Sequence, residues 1–331
     1  MSASGKICAK RRTLLFAGIA IFKPGLLFAA EPAAKQARIG ILSPFTATAD
    51  PFREAVQQRL RELGYETGRG TTIEYRSAGS AADRLPQLAA ELVRLQASVI
   101  ITTSAAGVQA AKQATTSIPI VMAGVDDAVG QGFVANLPRP GGNITGTSWL
   151  NTELSAKRVE LLKQTLPKLS RVAFLREAVG AASSLHAAET AARALGLRLI
   201  AMEIRSPAEI EGVLASLASE RVGALMVAQS PMIFGNERRI IELATKQRLP
   251  TIFSLRSAVE NGALMSYGPR PADLYRRGAD YADRILRGAK PGTLPVEQPT
   301  SFELVINLKT ADALGVKIPE STLLSANELM R

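Results

Sequence analysis

The sequence predicts an α/β protein with two doubly wound, Rossmann-like lobes that are joined by a hinge with several chain crossings. Short apolar runs alternate with amphipathic stretches, which is the pattern of parallel sheets with helices on both faces. A length of 331 residues suggests two domains at roughly 150 residues each. The densest Pro/Gly cluster, residues 138–143, separates two series of such runs.

Residues 1–30 are predicted to be an export signal that directs the protein to the periplasm. Basic residues between Lys6 and Arg12 precede the apolar stretch Thr13–Phe22, whose length lies in the usual range of about 7–15 residues. A membrane-spanning helix needs about 20 apolar residues, and Lys23 interrupts this stretch too early. An uncleaved anchor is the alternative. Cleavage would remove Cys8, the only cysteine, and would leave no possibility of disulfides.

The first series of apolar runs predicts five strands and the helices between them. The strands are expected at Arg38–Leu42, Thr71–Tyr75, Ser98–Thr102, Ile120–Ala123 and Ile144–Thr147. Asp50 and Pro51 are expected to open a helix, because aspartate caps helices and proline suits their first position. Further helices are expected near Leu85–Leu95 and after Ser104.

The second series predicts a second sheet of similar construction. Its strands are expected at Arg171–Leu175, Arg198–Ile204, Ala224–Val227, Thr251–Phe253 and Leu264–Ser266. Its helices are expected at Glu153–Leu166, Ser184–Leu195, Asn236–Arg248 and Asp273–Leu286. The serines before the second of these helices are expected to act as caps.

A loose stretch, Gly288 to Pro299, precedes one more expected strand at Phe302–Ile306, so the chain is expected to cross between lobes more than once. We therefore expect an N-terminal lobe of residues 38–147 plus about 268–299. The C-terminal lobe would comprise residues 148–267 plus about 300–331. Ligands of open α/β sheets bind beyond the carboxyl ends of the strands, so the two lobes should enclose a cleft.

Composition and missing motifs exclude several classes of function. The net charge is +11, but residues 1–30 hold five basic and no acidic residues, so the rest carries a dispersed +6 and predicts no nucleic-acid site. Neither a P-loop nor a G-x-G-x-x-G motif is present, so no nucleotide cofactor is expected. His186 is the only histidine, which argues against a metal site and a catalytic triad. We expect no cofactor, no metal and no enzymatic activity.

Small, polar or aromatic residues follow several predicted strands, where a binding site would form. Each corner taken singly is more often turn chemistry, but their shared position at strand ends favours binding. Trp149, near the expected hinge, could pack between lobes or stack on a ligand. The candidate ligand-binding residues are Ser43, Phe45, Ser104, Ala105, Asp126, Arg176, Gln229, Ser230 and Tyr267.

Ordered motifs over residues 38–331 resemble the tryptophan-binding-like family of ABC transporter substrate-binding proteins. They include "RIGILSPF", "FREAVQQRLRELGY", "IPIVMAGVDDAVGQGFVANLPRPGGNITG" and "NGALMSYGPRPADLYRRGADYADRILRGAKPGTLPVEQPTSFELVINLKTADALGV". The resemblance implies a type I periplasmic binding protein fold. It also implies reversible capture of a small solute and its delivery to a membrane permease driven by a separate ATPase. Such a protein is expected to be a monomer that meets the membrane only through the permease.

Two departures from the family pattern leave the ligand open. The family often has Asp-Pro-Val where this chain has Asp127-Ala128-Val129, and an Asn-Pro loop where it has residues 176–180. Some members bind aromatic amino acids, so an amino-acid-like or aromatic ligand is a candidate.

Two alternatives use the same fold. The effector domain of a transcription regulator would need a helix-turn-helix before residue 38, where the export signal stands. An enzyme would need a general base, for which Asp126 and Asp127 are the candidates.

Overall fold

A computed structural model describes residues 37–48, 50–68, 70–79, 81–178 and 181–331. The predicted export signal, with Cys8, lies outside these residues. In the described part of the chain, no helix has the length and apolar character needed to cross a membrane.

The first sheet is built from five parallel strands in the order β2-β1-β3-β4-β5. The strands are Ala37–Ser43 (β1), Thr71–Ser77 (β2), Val99–Thr102 (β3), Ile120–Val125 (β4) and Ile144–Ser148 (β5). In this order the chain reverses direction across the sheet between β1 and β3, which is where doubly wound sheets open a crevice for ligands.

The second sheet has seven strands in the order β12-β11-β10-β9-β8-β6-β7. They are Arg171–Glu177 (β6), Arg198–Ile204 (β7), Ala224–Val227 (β8), Thr251–Phe253 (β9), Met265–Gly268 (β10), Glu303–Asn307 (β11) and Glu328–Met330 (β12). Strands β6 to β10 repeat the order of the first sheet, with the reversal between β6 and β8. Strand β11 runs antiparallel to β10.

Helices cover both faces of each sheet, because the strands are buried and apolar on both sides. The helices are Pro51–Glu62 (α1), Leu85–Arg94 (α2), Ala105–Ala114 (α3), Asn151–Thr165 (α4), Ala182–Ala194 (α5), Ile210–Glu220 (α6), Pro231–Gly235 (α7), Glu237–Lys246 (α8), Arg256–Glu260 (α9), Pro271–Leu286 (α10), Leu308–Leu314 (α11) and Glu320–Ser325 (α12). Two α/β lobes with mainly parallel sheets therefore confirm the predicted fold class.

The chain passes between the sheets at three places. It leaves β5 through Trp149 into α4, and it leaves β10 through Pro269 into α10, which packs on the first sheet with α1. The third passage leads from α10 to β11. It runs beside the end of β5, where the Ser148 N–H donates to the Glu297 carbonyl at 2.8 Å. Arg277 on α10 holds this segment through a bidentate pair with the Glu297 carboxylate, at 2.6 and 2.7 Å.

Candidate functional site

The carboxyl ends of the two sheets face each other, and we call the space between them the cleft. Phe45, just after β1, meets Phe234 on α7 with ring centroids 5.4 Å apart and planes at 65°. Phe234 and Leu255, both from the second lobe, also pack against the core of the first lobe. The two lobes are thus in direct contact across the cleft.

A polar contact closes another side of the cleft. The Ser183 hydroxyl on α5 donates to Asp127 Oδ2 at 3.0 Å, and the Gly130 N–H donates to Asp127 Oδ1 at 3.0 Å. Helix α5 begins after Ala181, which provides no side-chain cap. The prediction that Ser183 caps this helix was therefore wrong, because its hydroxyl bonds to the opposite lobe.

At the first chain crossing, four residues lie together in what we call the crossing network: Asp126, Asn151, Arg158 and Gln229. Arg158 Nη2 donates to Asn151 Oδ1 at 3.2 Å, and Asn151 Nδ2 donates to Gln229 Oε1 at 3.4 Å. Arg158 Nε donates to the Tyr267 carbonyl at 2.8 Å. The network therefore joins the ends of β4, β8 and β10 to the start of α4.

Arg158 supplies a buried positive charge to this network. Its side chain is only 1% exposed, and it sits on α4 among apolar residues. Burial lowers its pKa to about 10, although the Asp126 carboxylate opposes that shift, so Arg158 stays protonated at neutral pH. Two of its nitrogens are used, and Nη1 makes no hydrogen bond to any described residue.

Asp126 supplies the negative charge. Burial raises its pKa to about 6, while the Asn151 backbone N–H opposes that shift. Asp127 and Glu153 raise the pKa further, and Arg158 lowers it. Within the residues that the structure covers, the Asp126 carboxylate has no side-chain hydrogen bond or ion pair, so a ligand group can approach it.

A cavity of about 310 Å³ opens beside Asp126, between residues of the two lobes. It is lined by Asp126, Asp127, Ala128, Val129, Leu137, Ser148, Trp149, Thr152, Glu153, Ser183 and Gln298. Three of these residues are acidic and none is basic, so the cavity is suited to a positively charged group.

The corner after β3 is built differently. The helix expected after Ser104 is α3, and Ser104 caps it by accepting the Gly107 N–H at 3.0 Å. The Thr103 hydroxyl donates to the Ala123 carbonyl at 2.6 Å. Ala105 is the first residue of the helix. The corner lies at the cleft, but the Ser104 hydroxyl oxygen is already used to cap the helix.

The remaining predicted site residues lie in several places. Ser43 Oγ accepts the Phe45 N–H at 3.2 Å, and Ser230 Oγ caps α7 by accepting the Ile233 N–H at 3.1 Å. Arg176 pairs with Glu203 on β7. The ring of Tyr267 packs against Phe302, with centroids 6.1 Å apart. Gln229 and Asp126 join the crossing network, whereas the side chains of Arg176 and Tyr267 do not.

Asn151 and Arg158 were missed by reasoning from the sequence, although a signal was present. Arg158 stands four residues from both Leu154 and Leu162, so it lies on the buried stripe of an amphipathic helix. An arginine on such a stripe needs partners for its charge, which indicates a built polar site.

A larger cavity of about 480 Å³ lies beside β10 and β11 of the second lobe. Its charges are matched within its own lining, because Arg256 pairs with Glu328 and Arg270 pairs with Glu303. It therefore offers a ligand fewer charged groups without an ion-pair partner than the cleft does. Among the described residues, no group of three or more His, Cys, Asp or Glu side chains is arranged to hold a metal ion.

Comparison with known proteins places this chain in a family. Residues 42–330 match the family described as ABC transporter substrate binding protein. The chain is 26% identical over 287 residues to a tyrosine-binding protein of Clostridioides difficile, covering 86% of this chain and 82% of that protein.

Solved structures give the same result. An ABC domain from Streptococcus pneumoniae in complex with L-Trp has a TM-score of 0.82 and 26% identity, covering 89% of this chain and all of that one. A conserved domain protein from Vibrio cholerae reaches 0.84 with 28% identity and the same coverage. A leucine-binding protein from Thermotoga maritima, at 14% identity and a TM-score of 0.58, shows the fold alone.

Proposed function

The chain belongs to the family of ABC transporter substrate-binding proteins, and from this premise we propose that it captures an amino-acid-like solute in the cleft. The observation that carries the proposal is the crossing network, a buried cation and a half-buried carboxylate set between two lobes that touch around them. Relatives supply the ligand class, since one is a tyrosine-binding protein and another was solved with L-Trp.

Ligand capture would use closure of the lobes about the three chain crossings. The lobes would comprise residues 38–147 with about 268–299, and 148–267 with about 300–331. Phe45 and Phe234 would form an apolar wall, and the crossing network would bind the polar end of the solute. Ser104 and Ala105 would border the site, and the α3 N-terminus would favour an anionic group.

The proposed role extends to delivery. The protein would be exported to the periplasm by the signal at residues 1–30 and would release its solute to an ABC permease driven by a separate ATPase. It would act as a monomer, without a cofactor and without nucleic acid. We also propose binding without turnover, because the groups that meet in the crossing network are two amides, a guanidinium and a carboxylate, with no activated nucleophile.

The first experiment identifies the solute. Protein purified from its own periplasm is analysed by native mass spectrometry for a bound small molecule. The twenty L-amino acids are then screened for an increase in melting temperature, which binding to the folded state must cause. We expect one or a few to stabilise the protein by several degrees. A well-folded protein that no metabolite stabilises would contradict the proposed function.

Two variants separate cleft binding from surface binding. Phe45→Asp places a charge at the aromatic contact between the lobes and should remove the stabilisation. Arg239→Gln changes an exposed residue that pairs with Glu211 within the second lobe, and it should keep the stabilisation. Equal behaviour of the two variants would place the ligand outside the cleft.

A further inference from the structure

We propose that the crossing network recognises both charges of an α-amino acid head group, with Arg158 binding the carboxylate and Asp126 binding the ammonium. This inference rests on the proposed function, and it assigns each end of the ligand to one residue. It excludes sugars, simple amines and simple carboxylic acids as the preferred ligands of the cleft.

The carboxylate end is assigned from the hydrogen bonds of Arg158. Nε and Nη2 hold the guanidinium in place through the Tyr267 carbonyl and Asn151 Oδ1, at 2.8 and 3.2 Å. Both acceptors are neutral, and Nη1 has no partner in the described part of the chain. A fixed, 1% exposed arginine with an unused N–H is a site for an anionic group, since its planar fork matches a carboxylate.

The ammonium end is assigned from the surroundings of Asp126. Its carboxylate has one backbone N–H nearby, from Asn151, and no side-chain partner among the described residues. The adjoining cavity of about 310 Å³ adds Asp127 and Glu153 and no basic residue. This local excess of negative charge occurs in a protein whose net charge is positive, so it is a specific feature of the cleft.

The two charges lie near each other, because each shifts the pKa of the other. Asn151 contacts both groups, the Asp126 carboxylate through its backbone N–H and Arg158 through its Oδ1. An α-amino acid carries its ammonium and its carboxylate on the same carbon atom. A head group placed over Asn151 would therefore reach both residues, and its side chain would extend toward the cleft wall.

The charged groups that face Asp126 are Arg158 on α4, Glu153 on the same helix, and the neighbouring Asp127. Only the ionised carboxylate attracts an ammonium group strongly. With a pKa near 6 for Asp126, affinity for an amino acid should fall as the pH decreases through 6.

The experiment needs no variant at first. Each amino acid that raises the melting temperature is compared by calorimetry with its decarboxylated amine and its deaminated acid; for tyrosine these are tyramine and 3-(4-hydroxyphenyl)propionate. We expect both analogues to bind at least about 100-fold more weakly, because each leaves one buried charge without a partner.

Variants then test which residue binds the carboxylate and which binds the ammonium group of the ligand. Asp126→Asn should bind the amino acid and its deaminated acid with affinities that differ by less than about fivefold, because the residue that reads the ammonium is gone. Arg158→Gln should do the same for the amino acid and its amine, and Arg158→Lys should restore part of the discrimination. Arg239→Gln and Asp312→Asn, which change exposed residues, are the controls and should keep both ratios.

The outcomes separate the inference from the proposed function. If an analogue binds wild-type protein as tightly as the amino acid, or if both variants keep both ratios, the inference is wrong and the solute-binding function stands. A preferred ligand that is not amino-acid-like would overturn the inference and the proposed ligand class, while solute binding itself would stand. If nothing binds, the proposed function itself fails.

Discussion

The corner after β3 and the crossing network occupy equivalent places at strand ends, but they treat their polar groups differently. At the corner, Ser104 caps α3 and the Thr103 hydroxyl bonds to a strand carbonyl. In the crossing network, Arg158 and Asp126 each keep capacity for another partner. We therefore propose that a position at a strand end brings a residue near the ligand, whereas a charge without a partner allows it to bind the ligand.

The largest expected effect tests whether the corner lies beside the ligand at all. Ser104→Trp puts an indole at the cleft and should weaken binding by more than about 100-fold, or roughly 3 kcal/mol. Loss of the cap should lower the free energy of unfolding by about 1 kcal/mol. Calorimetry and urea unfolding measure the two effects. Ser216→Trp, at an exposed position of α6, is the control, and undiminished affinity in Ser104→Trp would move the corner outside the site.

The next change tests how tightly the corner is packed. A Cβ on Gly107 would lie 2.2 Å from Thr102 Oγ1, so Gly107→Ala should destabilise the protein by about 1–3 kcal/mol. Gly212→Ala on α6 meets no atom within 4 Å and should instead stabilise by up to about 1 kcal/mol. Urea unfolding compares the pair. Equal effects would mean that the corner yields easily and is not a fixed wall.

A third change tests the buried carboxylate of Asp126, which has no side-chain partner among the described residues. Because its pKa is raised to about 6 in the folded protein, the folded state holds this proton more tightly than the unfolded state. The stability associated with that proton is present below about pH 4 and is lost as the pH rises through 6. Asp126→Asn should match wild type at pH 4 and be more stable by roughly 2 kcal/mol at pH 7, without ligand. A difference that does not change with pH would contradict the burial of this charge.

The smallest expected effect concerns the contact between the lobes. Ser183→Ala removes the hydroxyl that donates to Asp127, and the closed arrangement should lose no more than about 1 kcal/mol, or fivefold in affinity. Ser219→Ala, on the exposed side of α6, is the matched control. Small-angle scattering of the ligand-free protein should show a larger radius of gyration for Ser183→Ala alone. Identical scattering would show that this hydrogen bond does not hold the lobes together.

Much of the fold could be predicted because it depends on local patterns. The alternation of apolar runs and amphipathic stretches gave the strand positions to within a few residues, for example Arg38–Leu42 for the observed Ala37–Ser43. Helix α9 and strand β12 escaped prediction because segments of five and three residues carry too little periodicity.

The site was harder to predict because it depends on contacts between distant parts of the chain. Asp126 and Gln229, which join the crossing network, were candidates because of their places after strands. Arg158 was not, because its carbonyl partner, Tyr267, lies 109 residues further along. Tyr267 was a candidate as an aromatic residue after a strand, whereas in the structure its carbonyl accepts a hydrogen bond from Arg158.

The most direct test of the account is the pH dependence of ligand discrimination by the wild-type protein. Calorimetry from pH 5 to pH 8 would give the affinity ratio between the best amino acid and its deaminated acid. The account predicts a ratio of about 100 or more at pH 8 that declines through pH 6, as Asp126 takes up its proton. A ratio near one, or a large ratio that stays constant across this range, would contradict the assignment of the ammonium group to Asp126.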